Sequence, residues 1–263
     1  MVIGKIKLQK IIMERKNREF LLIGKSVFFP SSGILALSDL QIGYEVMLKN
    51  QGLYFPLSQL RRTIRGIEEI INKIHAKNYT ISRIILLGDI KHHFGYDYEE
   101  KSQVRELLEF LENKVGRNNL ILIRGNHEKF DLDGRDYADF FIDKATGTLF
   151  LHGHKLFSGI NLKSVNRIVM GHIHPAVYLQ ESGGVKRERY KCFLVGKWKH
   201  KGVVILPSFF PLIEGTALNS NDKLKHNDYG EDFGIIPLKE LRKLTVLIVG
   251  IDKVYEFGRL KNL

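Results

Sequence analysis

The stretch Ile84-Ile85-Leu86-Leu87-Gly88-Asp89-Ile90-Lys91-His92 decides how this chain reads. Four consecutive large apolar residues predict a strand buried on both faces, of the kind found in a sheet covered by helices. The run stops at Gly88-Asp89, which puts a carboxylate in the loop just past the strand's C-terminal end. Open α/β sheets bind ligands at that edge. Asp89 carries two acceptor oxygens and no donor, so it is able to bridge two cations.

Four further apolar runs end in the same manner. Ile34-Leu35-Ala36-Leu37 gives way to Ser38-Asp39-Leu40-Gln41, and Leu120-Ile121-Leu122-Ile123 to Arg124-Gly125-Asn126-His127-Glu128. Thr148-Leu149-Phe150-Leu151 runs into His152-Gly153-His154, and Ile168-Val169-Met170 into Gly171-His172-Ile173-His174. Between them lie two helical patterns. Leu57, Leu60, Ile64, Ile67, Ile71 and Ile74 recur every three or four residues, as do Val104, Leu107, Leu108, Leu111 and Val115, with Gly116 as a stop.

The ends of the chain read differently. Lys5 to Ile12, Phe20 to Ile23 and Ser26 to Phe29 are predicted antiparallel strands. From about residue 176 the pattern becomes mostly β, with strands at Ala176–Gln180, Lys186–Val195, Gly202–Leu206, Leu244–Val249 and Val254–Phe257. A short helix is expected near Pro237 to Lys243, and a polar surface loop over 214–235. One domain over 1–263 is the simplest expectation, with an αβ part at about 31–175 and a mostly β part at about 176–263.

With 263 residues the chain is long enough for a sizeable core. A single cysteine, Cys192, excludes an internal disulfide framework and a Cys-rich zinc site, which points to a reducing compartment. Neither a signal-peptide pattern nor a membrane-spanning run is present, so the expected location is the cytoplasm, away from membranes. A net charge of +12 suits a polyanionic partner, and it equally suits the lysine-rich background of a thermophile.

Seven of the ten histidines fall between 92 and 174, most of them directly after apolar runs. Histidines scattered through a core would not keep landing at strand ends. With Asp39, Asp89 and Asn126 they form a mixed nitrogen and oxygen donor set that suits Mn, Fe or Zn. In order, Asp39-Leu40-Gln41, Gly88-Asp89-Ile90-Lys91-His92, Gly125-Asn126-His127-Glu128, His152-Gly153-His154 and Gly171-His172-Ile173-His174 resemble the motifs of calcineurin-like metallophosphoesterases.

That resemblance implies an α/β fold, a four-layer αββα sandwich of two mixed β-sheets with two divalent metal ions at one edge. Mn²⁺ heads the candidates, followed by Zn²⁺, Fe²⁺ and Ni²⁺. One ion would take Asp39, Asp89 and His174, and the other Asp89, Asn126, His152 and His172. His127 would contact the phosphate or protonate the leaving oxygen, and His92 would steady the phosphate from the other side. Two cations about 3.5–4 Å apart clamp a phosphoryl group and acidify a bound water. Gln41 departs from the family's usual histidine; it either ligates through its amide oxygen or only packs in the loop. His152 is expected to be the ligand and His154 to lie behind it. His93 is expected at the pocket rim, and Asp131 and Asp133 in a turn.

Gly43-Tyr44-Glu45 and the stretch Pro207 to Asn219 resemble the ICC-like branch of the family, which implies association with a DNA-repair helicase or ligase. Arg187, Arg189 and Lys191 alternate with Tyr190 and Cys192, so a strand there would show a basic face to solvent, and Trp198 could stack a base. The same residues could equally form a solvated strand face. The expected activity is phosphodiester hydrolysis on a nucleic-acid or nucleotide substrate, with a nuclease in DNA repair foremost. A small-nucleotide phosphatase and an inactive scaffold of the same fold are the alternatives.

Overall fold

The computed structural model describes residues 19–53, 58–92, 97–127, 134–180, 187–220 and 234–263. The expected strand at Lys5–Ile12 lies outside them, as do Leu57, His93, Glu128, Asp131, Asp133, Lys186 and most of the 214–235 loop. One sheet runs in the order β1 (Leu21–Ile23), β2 (Ser26–Phe29), β3 (Ile34–Leu37), β4 (Arg83–Leu86) and β5 (Leu120–Leu122). Its first three strands are antiparallel, whereas β3, β4 and β5 are parallel.

The second sheet contains β6 (Phe140–Asp143), β7 (Thr148–Leu151), β8 (Arg167–Met170), β9 (Pro175–Gln180), β10 (Arg187–Trp198), β11 (Lys201–Ile205), β12 (Thr216–Ala217), β13 (Thr245–Val249) and β14 (Val254–Arg259). Strands β7, β8 and β11 are mutually parallel, and β10 is long enough to pair with β9, β11 and β13 along its length. Both sheets are therefore mixed, as the motif pattern implied.

Strand alternation explains the layering. In β3, Ile34 and Ala36 face the second sheet, while Leu35 and Leu37 face the helices. The organising run divides likewise: Ile85 and Leu87 turn inward, Ile84 and Leu86 outward. Phe150, Val169, Phe193 and Val204 answer from the second sheet, so the inter-sheet core is built from every other residue of each run. Helices α2 (Gln59–His75) and α3 (Tyr98–Val115) cover the outer face through Ile67, Ile71 and Ile74 and through Val104, Leu107 and Leu111. Asp97 caps α3 by accepting the Glu100 N–H at 2.9 Å, and Gly116 ends it at φ 82°.

The fourth layer is thin. Among the described residues it consists of the four-residue helix Leu238–Leu241 and short segments carrying Val165, Ile236 and Leu260, packed on Leu149, Ile168, Met170 and Leu194. Sequence periodicity did not reveal β6 or the short helix α1 (Tyr44–Asn50).

Candidate metal centre

The parallel strands of both sheets end at one edge, and their loops meet there. Beyond β3 and β4 the backbones stay paired: the N–H groups of Asp39, Gln41 and Ile42 donate to the carbonyls of Gly88, Asp89 and Ile90. This zipper and the loop after β8 carry candidate ligands on residues held in the left-handed region. Asp39, Gln41, Asp89, His172 and His174 have φ values of 56°, 52°, 48°, 67° and 49°. Such conformations are unfavourable for side-chain-bearing residues and cluster at functional sites.

Two glycines permit the close approach. A Cβ on Gly171 would lie 1.6 Å from Ser38 Oγ and 2.5 Å from Asp39 Oδ2. A Cβ on Gly88, at φ 80°, would meet His152 Nδ1 at 2.6 Å and Gly125 Cα at 2.8 Å. Only hydrogen fits at either place.

Asp39 is fully buried, and its two oxygens have different surroundings. Oδ2 accepts from Ser38 Oγ at 2.5 Å and from the His172 N–H at 3.2 Å. Oδ1 lies 3.0 Å from His174 Nε2 and 3.9 Å from His152 Nδ1, yet neither Oδ1 nor His174 Nε2 makes a hydrogen bond of acceptable geometry. Buried polar atoms are rarely left so. Two such atoms converging side by side fit a cation between them.

Asp89 stands at the middle of the group. Its Oδ1 accepts the His127 N–H at 3.2 Å and lies 3.5 Å from His152 Nε2; its Oδ2 accepts from Gln41 Nε2 at 3.3 Å. Ligand atoms of Asp39, Asp89 and His152 all fall within 4.8 Å of one another. His152 is fully buried, with Nδ1 on the Leu87 carbonyl at 2.7 Å. That bond fixes its ring, leaving Nε2 3.0 Å from Asn126 Oδ1 and 3.1 Å from His172 Nδ1. His154 packs behind, its ring 5.3 Å from that of His152 and its Nδ1 without a hydrogen bond.

Electrostatics suit a cation. Burial alone would raise the Asp39 carboxyl, but His174, His152 and the Ser38 hydroxyl outweigh it and hold it at about 2. Burial would lower His174, yet Asp39 and Asp89 outweigh burial and raise it. Burial, reinforced by His152, pushes His172 down to about 3, so this ring is neutral and ready to ligate near neutral pH.

A cleft of about 340 Å³ opens over this group, lined by Gln41, Asp89, His92, Asn126, His127, His172 and His174 and rimmed by Ile213 and Thr216. The structure thus brings together every candidate motif residue of the described segments. Gln41 sits between His92 and Asp89, with Oε1 2.6 Å from His92 Nδ1. His127 Nδ1 lies 2.8 Å from the His92 carbonyl, which turns Nε2 toward Asp89 at 3.7 Å.

Two expectations change. Trp198 is buried in the outer core of the second sheet, where it cannot stack a base. The Arg187–Lys191 face is only partly turned to solvent: Arg187 is exposed, whereas Arg189 and Lys191 are partly covered. Phe193, next in that row, belongs to the inter-sheet core, so the row runs from the interior beside Lys191 outward to the exposed Arg187.

Supporting residues outside the five ligand motifs also emerge. Gln59 Nε2 donates to the Gln41 carbonyl at 2.7 Å, and Glu45 accepts the N–H groups of Ser58 and Gln59 at the start of α2. Glu100 accepts the His92 N–H at 3.0 Å. On the second sheet's side, Ser208 Oγ and the Phe209 and Phe210 N–H groups donate to the Ser38–Asp39 backbone at 3.0, 3.0 and 3.4 Å. Lys191 Nζ in turn donates to the carbonyls of Ser208 (2.9 Å) and Phe210, and Lys25 Nζ to that of Phe209 at 2.6 Å. Glu45 and the 208–210 segment lie in the two stretches that resemble the ICC-like branch, whereas Lys25, Gln59 and Glu100 carry no sequence signal.

Comparison with known proteins agrees with this geometry. A search of curated proteins finds no match. Among solved structures, a nuclease MPE from Pseudomonas putida covers 88% of this chain and 91% of its own, with a TM-score of 0.54 at 16% identity, a likeness of fold. A metallophosphoesterase from Sphaerobacter thermophilus covers 67% of this chain and 76% of its own, at 15% identity and a TM-score of 0.31. The family described as calcineurin-like phosphoesterase matches residues 33–196. That span runs from the turn before β3 into β10 and takes in each loop that carries a candidate ligand. The chain therefore belongs to the calcineurin-like phosphoesterases, metal-dependent hydrolases of phosphate esters.

Proposed function

We propose that this enzyme hydrolyses phosphodiester bonds, and that nucleic acid is its substrate class. The observation that carries the reading is the buried convergence of Asp39, Asp89 and His152, whose donor atoms lie within 4.8 Å of one another, with His174 Nε2 3.0 Å from Asp39 Oδ1. Asp39, Asp89 and His174 would hold one divalent ion, and Asp89, Asn126, His152 and His172 a second. Mn²⁺ is the first candidate for this mixed donor set. When bound, such a pair supplies an acidified water and neutralises charge on the phosphoryl oxygens.

The chain's own residues provide the rest. His127 and His92 line the cleft. The contact of His127 Nδ1 with the His92 carbonyl leaves Nε2 on the cleft side, 3.7 Å from Asp89, where it would meet a bound phosphate and transfer a proton to the leaving oxygen. Gln41 holds the His92 ring from behind, and Ile213 and Thr216 close the rim. The Pseudomonas putida protein of like fold is a nuclease, which agrees with a diester substrate. A role in DNA repair beside a helicase or ligase, and a cytoplasmic location, complete the proposal. No helix among the described residues is long and apolar enough to cross a membrane.

The test is hydrolysis of bis-(p-nitrophenyl) phosphate with added Mn²⁺. Turnover should vanish with EDTA and in Asp89→Asn. Metal-replete protein that is inert toward diesters, monoesters and DNA alike would replace this reading with the inactive scaffold.

A further inference from the structure

The second sheet extends outward past the metal ligands. Strand β9 begins at Pro175, directly after His174, and pairs with β10 so that Lys191 stands opposite Ala176, Arg189 opposite Tyr178 and Arg187 opposite Gln180. Directly paired residues share a face, so Lys191, Arg189, Arg187 and Tyr178 all project on the side of Phe193 and the inter-sheet core. From the core outward, Lys191 is tied under the 208–210 segment, Arg189 is partly covered and Arg187 is exposed.

Both guanidiniums stack on one ring. Arg187 lies 3.9 Å and Arg189 4.9 Å from the centroid of Tyr178, and Arg189 Nη2 also donates to the Tyr178 hydroxyl. Stacking of this kind fixes two flexible cations at a set spacing. Arg189 Nη1 reaches the Gly215 carbonyl at 3.3 Å and Glu214 at 2.9 Å. Gly215 and Glu214 sit between Ile213 and Thr216, which rim the metal cleft. Arg189 is therefore tied to the short segment that joins two cleft-lining residues, with Arg187 one step further out on the same ring. Tyr178 stands four residues along the strand from His174, about 13 Å away.

We infer that Arg187, Arg189 and Tyr178 form an extended subsite that binds the sugar–phosphate backbone of a nucleic-acid strand whose reacting phosphate lies in the metal cleft. The inference rests on the phosphodiesterase reading and names its substrate as a polymer. A mononucleotide has no second phosphate able to span from the ligands to Arg187; a strand has one at every residue. Arg189 Nε is buried without a hydrogen bond, and its partner Glu214 is 70% exposed. An ion pair so exposed is worth little, so a phosphate can take the place of Glu214.

The experiment compares wild type, Arg187→Gln and the Arg187→Gln/Arg189→Gln pair, each loaded with Mn²⁺, on a single-stranded oligonucleotide and on bis-(p-nitrophenyl) phosphate. The ratio of kcat/KM for oligonucleotide to that for small diester should fall about tenfold per arginine, through KM. Fluorescence anisotropy of the same labelled strand in EDTA should weaken, and the slope of log affinity against log salt should flatten by about 0.7 per arginine removed. An unchanged ratio with an unchanged salt slope overturns the subsite, as does wild-type enzyme that cleaves the small diester but neither cleaves nor binds the strand. Failure of wild type on the small diester itself would instead remove the phosphodiesterase reading.

Discussion

Replacing Lys191 by methionine tests how the second sheet holds the Asp39 loop. Burial first, and the nearby Lys25 second, push the Lys191 amine from an ordinary 10.5 down to about 6, against a smaller opposing pull from Asp39. At pH 7 the chain therefore folds with this amine neutral. Discharging it costs about 5 kcal/mol, at 1.36 kcal/mol per pH unit between 7 and 10.5. The amine gives hydrogen bonds to two buried carbonyls, and leaving a buried acceptor unpaired costs about 1–3 kcal/mol each. These opposing effects are of similar size, so Lys191→Met should change metal-free stability at pH 7 by no more than about 3 kcal/mol.

The pH dependence is the sharper readout. Between pH 6 and 10.5 the unfolded chain carries a proton on Lys191 that the native chain lacks, so this residue makes stability rise with pH. Its contribution is complete above 10.5 and is lost as pH falls through 6. Burial also pushes Lys25 down, to about 8, so between pH 6.5 and 8 the lysine contribution belongs to Lys191. Urea unfolding of metal-free protein at these two values should show wild type gaining roughly 2 kcal/mol over the variant. Mn²⁺ affinity of the variant should drop about tenfold as the 208–210 segment releases the Asp39 backbone, and Lys191→Arg should restore part of it. A wild-type-minus-variant difference that does not move with pH would refute the burial argument. Unaltered Mn²⁺ binding would refute the clasp.

Three other outcomes follow from the site. Gly171→Ala drives a methyl into Ser38 and Asp39, so isothermal titration should show Mn²⁺ binding lost while circular dichroism still reports both sheets. Metal affinity should rise with pH until His174, raised above 6.5 when Asp39 and Asp89 outweigh burial, has lost its proton; titration in buffers of different ionisation heat should count about one proton released. Gln41→Ala should leave the number of bound ions unchanged and lower kcat about tenfold by freeing the His92 ring, whereas loss of one ion would identify Gln41 as a ligand.

Much of this site was legible because its signals are local. An apolar run that stops at an Asp, Asn or His reports both a strand and the residue at its C-terminal edge, and five such runs arise in chain order. Two parallel-sheet edges then bring Asp39 beside His174 across more than a hundred residues. What stayed hidden depends on tertiary contact. Strand β6 has partly covered residues and no apolar alternation, so its pairing with β7 comes from the partner. The direction of the Arg187–Lys191 face depends on which side of β10 the first sheet covers, which no local pattern encodes. Trp198 read as an exposed aromatic among lysines because its neighbours in the core come from distant segments. The lysines that clasp the 208–210 carbonyls resemble ordinary surface lysines until the loop folds over them.

If Asp89 joins two cations in one buried centre, electron paramagnetic resonance of protein titrated with Mn²⁺ will register the pair. Two ions per chain, magnetically coupled to each other, with both the coupling and the diesterase activity lost in Asp89→Asn, is the predicted result. A spectrum of isolated, uncoupled ions at every stoichiometry, or no binding at all, would contradict it.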